Sequence, residues 1–393
     1  MVKWIISGCL TLVVIFGLGC CGSSGTPTPL GNGDVLATTL VVFGYNDLGM
    51  HCMNQDFSRF MILPPFNTMH ALVLRRGEHP QFVTSGVTVN YNIPGNTSSV
   101  DKTNFWQYAQ PLLGVSLAPN IGLAGNGLSG MMTPSQTTLR DWQATGIPLT
   151  PITDAQTLNS FQLANIEVRD NNTLLARTQA VAPVSWEISC DLCHNGDDAP
   201  DILLAHDQLH GTNLQQQTPV LCGKCHAQAP LGSFAPGQPG VKPLSTAMHS
   251  AHASRMADVV ATLNGNTCYA CHPGRQTKCL RDVHASHGMT CTDCHTSMEA
   301  VGNPARRPWV EEPRCGNCHP HAEQPNTLYR NSVGHHGVAC EACHGSPHAI
   351  TPTSVANDNV QAIGLQGHAG VVNTCSVCHQ RTPDDTFSHN SGN

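Results

Sequence analysis

The chain has 393 residues and a formal net charge of −7, and only 11% of its residues are charged. This length is sufficient for two or three domains. The acidic balance and the lack of a Lys/Arg-rich cluster argue against a nucleic-acid partner.

Residues 1–21 have the features of a secretory signal peptide. One positive charge precedes an almost uninterrupted apolar stretch from Trp4 to Leu18, which is short for a membrane span. The following Gly-Cys-Cys resembles a lipoprotein processing site, at which Cys20 or Cys21 would be lipidated; simple cleavage is the alternative. We expect export to the periplasm, the outer membrane surface or the cell exterior, with membrane contact only through a lipid anchor.

Residues 22–33 form a Ser/Thr/Pro/Gly linker, and residues 34–185 are predicted to be a β-rich domain of unknown role. Its size is typical of one domain, and two packed sheets are a natural arrangement. A weak helical signal covers Ser135–Thr145. The predicted strands are the apolar, β-branched runs Leu36–Phe43, Ala71–Leu74, Val83–Asn92, Phe161–Val168 and Leu174–Val184.

Seven copies of Cys-x-x-Cys-His occupy the remainder of the chain, residues 186–393. A shuffled chain of this composition would hold roughly 0.05 copies by chance. The motif is the covalent attachment site of a c-type haem. The cysteine pairs are Cys190 and Cys193, Cys222 and Cys225, Cys268 and Cys271, Cys291 and Cys294, Cys315 and Cys318, Cys340 and Cys343, and Cys375 and Cys378. The histidines that follow them are His194, His226, His272, His295, His319, His344 and His379.

The spacing of the motif has a chemical reason. Two thiols add to the two vinyl groups of one porphyrin, and the adjacent histidine then binds the iron as its proximal ligand. Tetrahedral zinc needs converging pairs but no histidine after every second cysteine. A thioredoxin-like pair or a series of disulfides does not require that histidine either. The sequence therefore predicts seven covalently attached c haems.

Such a segment is too poor in aliphatic residues to build an ordinary core. We therefore expect a haem-packed multihaem cytochrome domain with little regular structure, in which short α-helices such as Ile202–Leu209 and Thr246–Leu263 surround stacked porphyrins. The segments His287–Cys291 and His336–Cys340 repeat one module, and motif intervals of 23 to 25 residues support stacked units.

Each iron needs a second axial ligand unless it is a catalytic iron with an open position. Methionine is the competing ligand, but this segment has only Met248, Met256, Met289 and Met298, so two histidines per iron are favoured. His287 and His336 are the strongest candidates because each precedes its motif by four residues. The further histidines of this segment are His206, His210, His249, His252, His284, His287, His321, His335, His336, His348, His368 and His389.

Two cysteines, Cys52 and Cys279, lie outside the motifs and the signal peptide. In an exported protein they could form a disulfide between the two halves, or remain inert thiols. The alternative is a copper or haem ligand cluster at Met50–Met53, because soft sulfur ligands select Cu(I). His70 and His79 are expected to be structural or exposed.

The chain resembles the multihaem c-type cytochromes of dissimilatory metal-reducing bacteria. The resemblance rests on Cys-Tyr-Ala-Cys-His-Pro-Gly from Cys268, Cys-Leu-Arg-Asp from Cys279 and Gly-Met-Thr-Cys ending at Cys291. It extends to Tyr-Asn-Asp-Leu-Gly-Met-His-Cys from Tyr45 and Ile-Leu-Pro-Pro-Phe-Asn from Ile62. It implies periplasmic or outer-surface electron transfer, and some relatives polymerise into haem filaments.

Three functions are compatible with these features. The first is an electron carrier in which closely spaced bis-histidine haems exchange electrons with other redox proteins or extracellular acceptors. The second is a reductase of a small nitrogen or sulfur oxyanion, which would need one open iron. The third is self-association as the subunit of a cytochrome filament. Seven motifs that all end in histidine, with a surplus of further histidines, favour conduction over catalysis.

Overall fold

A computed structural model describes residues 39–194, 200–256, 266–319 and 327–384. The predicted signal peptide, the linker and the candidate lipidation sites lie outside these ranges, as do His321 and His389. Within them, no helix is both long enough and apolar enough to cross a membrane.

Two sheets built from residues 40–185 form the first half of the described chain. The first sheet has the strand order β1-β4-β9-β8 with β5 paired to β4, and the second has the order β2-β11-β10-β6-β7. The pairs are antiparallel except β2 with β11. The strands are β1 Leu40–Asn46, β2 His51–Cys52, β3 Phe60–Met61, β4 Asn67–Arg75, β5 Gln81–Phe82, β6 Thr88–Asn92, β7 Ser129–Met131, β8 Thr133–Pro134, β9 Trp142–Ile147, β10 Phe161–Asp170 and β11 Thr173–Ser185.

The two sheets pack face to face because alternate side chains are apolar. Along β10 every second residue is buried, so Ala164, Ile166 and Val168 point into the core. Val42 of β1 and Val73 of β4 meet them from the opposite sheet. The predicted sheet-rich region is therefore present, and it has the two-layer arrangement of a sandwich.

The helix predicted at Ser135–Thr145 is wrong. Residues from Trp142 onward form β9 instead, because they pair with β4 and the Trp142 indole donates to the buried Val83 carbonyl at 2.9 Å. The helix of this half is α1, Phe105–Leu113, which buries Phe105, Ala109 and Leu112 although Pro111 lies in its last turn. In the β9 strand and in helix α1, tertiary burial thus overrides the local secondary-structure propensity.

The second half consists of short elements joined by loops. Its helices are α2 Pro200–His210, α3 Leu244–His252, α4 Val283–Ser286, α5 Cys291–His295, α6 Met298–Val301, α7 Cys340–His344 and α8 Ala356–Gln366, and its strands are β12 Val220–Leu221, β13 Val333–Gly334 and β14 Val338–Ala339. In the described part of this half, the one apolar cluster independent of the sandwich has only Met256 and Ala270 at its centre. Most of its other buried apolar residues pack on the first half.

The outer face of β1 and β4 receives the end of the second half. Val41, Phe43 and Leu72 form one apolar cluster with Ala342 of α7 and Leu365 of α8. As a result, β1 and β4 are buried on both faces.

Polar contacts fix the segment after the third motif. The buried Arg281 forms a salt bridge with Asp358 of α8, with Nε 2.6 Å from Oδ2, and its Nη1 donates to the Gly49 carbonyl of the first half at 2.7 Å. The carboxylate of Glu187, two residues after β11, accepts backbone N–H groups of residues 275–277 at 2.7 to 3.2 Å. These contacts hold the segment after the third motif against the sandwich.

Candidate haem-binding sites

The seven motifs, numbered here as sites 1 to 7 in chain order, all adopt one tight helical turn. Five turns are of the 3₁₀ type, and those of sites 4 and 6 are the short helices α5 and α7. In site 1 the His194 N–H donates to the Cys190 carbonyl at 2.9 Å, and sites 2, 3, 5 and 7 repeat this bond at 2.8 to 2.9 Å. Because residues three and four apart share a face of such a turn, both cysteines and the histidine lie on one side.

Six of the proximal histidines lie opposite a second histidine. Their ring centroids are 6.0 to 6.5 Å apart, at interplanar angles from 24° to 84°. The pairs are His194 with His252, His226 with His206, His272 with His249, His295 with His348, His319 with His284, and His379 with His335.

This separation is the one that a single metal ion between two imidazoles requires. A metal–imidazole bond is about 2.0 Å and the ring centroid lies roughly 1.2 Å behind the nitrogen, so two imidazole rings on opposite sides of one metal ion have centroids about 6.4 Å apart. Since a porphyrin supplies four nitrogen ligands itself, two histidines complete the coordination of its iron. The donor set of these six sites therefore fits a bis-histidine haem.

The outward ring nitrogens of these histidines are held by hydrogen-bond acceptors. The Nδ1 atoms of His249, His252 and His226 lie 2.7 to 2.8 Å from backbone carbonyls, to which only a protonated nitrogen can donate. His284 Nδ1 lies 3.1 Å from an Asp282 carboxylate oxygen. A proton fixed on Nδ1 leaves Nε2 as the coordinating atom, as in most metal-binding histidines.

Burial keeps several of these rings neutral. Desolvation, helped by the nearby His249, lowers the pKa of His272 to about 4. Desolvation and the neighbouring His295 lower the pKa of His348 to about 4 as well. A neutral imidazole has the free electron pair that metal coordination needs.

Other distal candidates are placed differently. His287, His336 and His368 are exposed. His210 is also exposed, and its ring centroid lies 4.8 Å from that of His206, less than the separation of the six pairs. Thus the structure brings His284 and His335, rather than His287 and His336, opposite a proximal histidine.

The remaining sulfur and metal alternatives have less support. None of the sixteen cysteines that the structure describes is in a disulfide, Cys52 and Cys279 included. Burial, and then the proximity of Cys279, raises the pKa of Cys52 far above its usual value. The described residues contain no group of three or more His, Cys, Asp or Glu that could hold a metal ion, which is the minimum for protein-bound zinc. His51 lies instead 3.0 Å from Asp47, through Nε2 and Oδ1.

The β half positions the last two sites directly. At site 7 the His379 Nδ1 lies 3.0 Å from the Glu78 carbonyl, and the Arg76 side chain donates to the carbonyls of Ser376 and Val377. After site 6, the Pro347 carbonyl approaches Gly49, whose φ of +71° and lack of a Cβ permit the contact. His70 is buried beside Asp141 and His79 is exposed, in keeping with structural or surface roles.

Contacts between motifs give the sites a spatial order. Cys190 of site 1 lies close enough to Cys222 of site 2 and Cys271 of site 3 for electrostatic interaction. Site 3 contacts site 4, where Asn266 Nδ2 donates to Cys291 Sγ at 3.3 Å. Electrostatic interactions of the same kind connect sites 4 and 5, 5 and 6, and 6 and 7. These proximities are consistent with the order 2-1-3-4-5-6-7.

One helix contributes to two sites. His249 and His252, three residues apart on α3, lie opposite the proximal histidines of sites 3 and 1. Because one helix serves both sites 1 and 3, these two sites are neighbours. Site 1, rather than site 2, therefore lies next to site 3.

Neither a known protein family, nor a curated protein, nor a solved structure matches this chain.

Proposed function

We propose that the protein is an exported heptahaem c-type cytochrome that transfers electrons through the seven sites in the order 2-1-3-4-5-6-7. The observation that carries the proposal is the set of six histidine pairs with ring centroids 6.0 to 6.5 Å apart. Bound there, c haem would supply a one-electron redox centre at each site. Its partners would be other redox proteins or extracellular electron acceptors.

The chain's own residues would hold and tune these centres. The cysteines of each turn would attach the group, the paired histidines would ligate its iron at six sites, and acceptors such as the Ser245 carbonyl hold the ring orientation of these histidines. At these six sites, two histidines per iron would leave no coordination position for a substrate. Such closed sites would favour electron transfer over the reduction of an oxyanion.

The first test compares two neighbouring histidines. In the haem-loaded protein, a haemochrome assay should give seven haems, and ferric spectra should be low-spin for the six paired sites. His284→Ala should convert one of these irons to a high-spin signal, because its ring faces His319. His287→Ala, at an exposed position three residues away, should leave the spectrum unchanged. A haem count far below seven, or high-spin signals from more than one iron per chain in the unmodified protein, would contradict the proposal.

The second test examines the order of the sites. Removing site 1 with Cys190→Ala and Cys193→Ala should separate site 2 from the others, so that its redox titration becomes independent of theirs. Removing site 2 with Cys222→Ala and Cys225→Ala should leave the remaining six interacting as before. Redox titration followed by NMR of the haem methyl groups distinguishes the two variants. An isolated centre after loss of site 2, and none after loss of site 1, would favour the chain order instead.

A further inference from the structure

The buried acid Asp282 lies beside His284, the histidine opposite the proximal histidine of site 5. Its Oδ2 is 3.1 Å from His284 Nδ1. Its other oxygen, Oδ1, accepts the Ala285 backbone N–H at 3.0 Å, which makes Asp282 the N-cap of α4. Two contacts therefore hold the carboxylate against the Nδ1 edge of the His284 ring.

This contact differs from those of several other paired histidines. One histidine in each of sites 1, 2 and 3 directs Nδ1 at an uncharged backbone carbonyl. At site 1 a second carboxylate, that of Asp201, lies 3.4 Å from His194 Nδ1, but the Asp201 side chain is 33% exposed, against 4% for Asp282. Because water screens an exposed charge, Asp282 acts more strongly on its histidine than Asp201 does.

A carboxylate acceptor changes how strongly an imidazole donates electrons. When Nδ1–H donates to a carboxylate, the ring becomes more basic, and Nε2 binds a metal ion more tightly. A more basic ligand and a nearby negative charge both stabilise ferric iron relative to ferrous iron, which carries one positive charge less. An iron bound by His284 would therefore have a lowered reduction potential.

The neighbouring site 4 has a much weaker acceptor at the corresponding place. There Cys279 Sγ lies 4.0 Å from Nδ1 of His348, and a cysteine sulfur is a weak acceptor. The negative charge of Asp282 also reaches His348, but the positive charge of Arg281 opposes it there. The protein therefore stabilises ferric iron less at site 4 than at site 5.

We propose that Asp282 is a positioning residue that lowers the reduction potential of site 5 below that of site 4. This inference rests on the proposed function and names one residue by which the chain would tune the electron path. An electron shared by the two sites would reside mainly at site 4. At this step, transfer towards the site 2 end would be downhill, and transfer towards the site 7 end would be uphill.

The test replaces Asp282 by asparagine in the haem-loaded chain. Asparagine is also a favourable N-cap, so Asp282→Asn keeps the cap of α4 while it removes the charge. At a fixed potential, the ferric-to-ferrous ratio of site 5 should fall about tenfold, which equals a rise of about 59 mV in its midpoint potential. Its iron should stay low-spin, because His284 is retained. Redox titration followed by NMR of the haem methyl groups measures the shift, and His284→Ala identifies the signals of site 5.

The matched control is Asp201→Asn, which makes the same change beside His194 and should shift the potential of site 1 by less. If Asp282→Asn does not fold, Asp282→Ser should show the same rise, since serine also caps helices and carries no charge. Three results would overturn the inference but not the proposed function: seven haems with no rise at site 5, a shift no larger than in Asp201→Asn, or a site 5 potential above that of site 4 in the unmodified protein. A chain that binds no haem would overturn both.

Discussion

The two halves of this molecule obtain their order in different ways. Residues 40–185 bury two complementary sheet faces around Ile166 and its neighbours, and such a core forms from the polypeptide alone. In the described part of residues 186–384, the independent apolar cluster is centred on Met256 and Ala270 only. The order of the second half therefore depends on its contacts with the sandwich and, under the proposed function, on the haem held by its histidine pairs.

Under the proposed function, this difference identifies the part of the fold that would depend on the cofactor. Haem held by the paired histidines would supply packing that the described part of the second half lacks. The contacts of Arg281 and Arg76 between the halves add to it.

The largest expected effect comes from withholding haem. A chain produced without haem attachment should be cleaved by proteases throughout residues 186–393, whereas the sandwich should resist cleavage, because only the sandwich has an aliphatic core. Limited proteolysis with mass spectrometry measures this. If the second half of the haem-free chain also resisted proteases, the two halves would not differ in their dependence on haem.

A smaller effect is expected from breaking the link between the halves. Arg281→Met removes the hydrogen bond to the Gly49 carbonyl of the first half and leaves the buried Asp358 carboxylate without its ion-pair partner, which should lower the free energy of unfolding of the haem-loaded protein by about 3–5 kcal/mol. Chemical denaturation measures the change. The matched control is Arg307→Met, which removes a solvent-exposed ion pair with Glu311 and should have no measurable effect. Equal responses of the two variants would mean that the buried link is dispensable.

The smallest effect concerns the sandwich core itself. Ile166→Val removes one methylene from a fully buried position and should cost about 0.5–1.5 kcal/mol in unfolding free energy. Haem content and absorption spectrum should not change, because Ile166 lies between the sheets. Leu158→Ala, at a half-exposed side chain, is the control and should be close to neutral. A change in the haem spectrum of Ile166→Val would show that the core and the sites are coupled.

Much of the sheet could be predicted because its strands have local signatures. β10 and β11 combine β-branched residues with alternation, and each nearly coincides with its predicted run. Helix α1 could not be predicted in this way, since Pro111 and three aromatic residues oppose helix formation locally. It exists because its buried face fills the core beside the sheets.

The motifs could be read directly from the sequence, but the histidine pairing could not. The repeated spacing before two of the motifs predicted His287 as a distal ligand. The structure instead places His284, one helical turn earlier, opposite His319. His295 lies opposite His348, which is 53 residues away in the chain. Only tertiary packing brings such residues together, so their pairing cannot be predicted from their spacing along the chain.

The placement of His249 and His252 on α3 has a mechanical consequence. Three residues of α-helix advance about 4.5 Å, and hydrogen bonds within the helix make this length nearly rigid. Small motions of the chain around α3 can therefore hardly change the distance between these two histidines, and so between sites 1 and 3. Under the proposed function, thermal fluctuations should accordingly modulate electron transfer between sites 1 and 3 less than transfer between sites that share no helix.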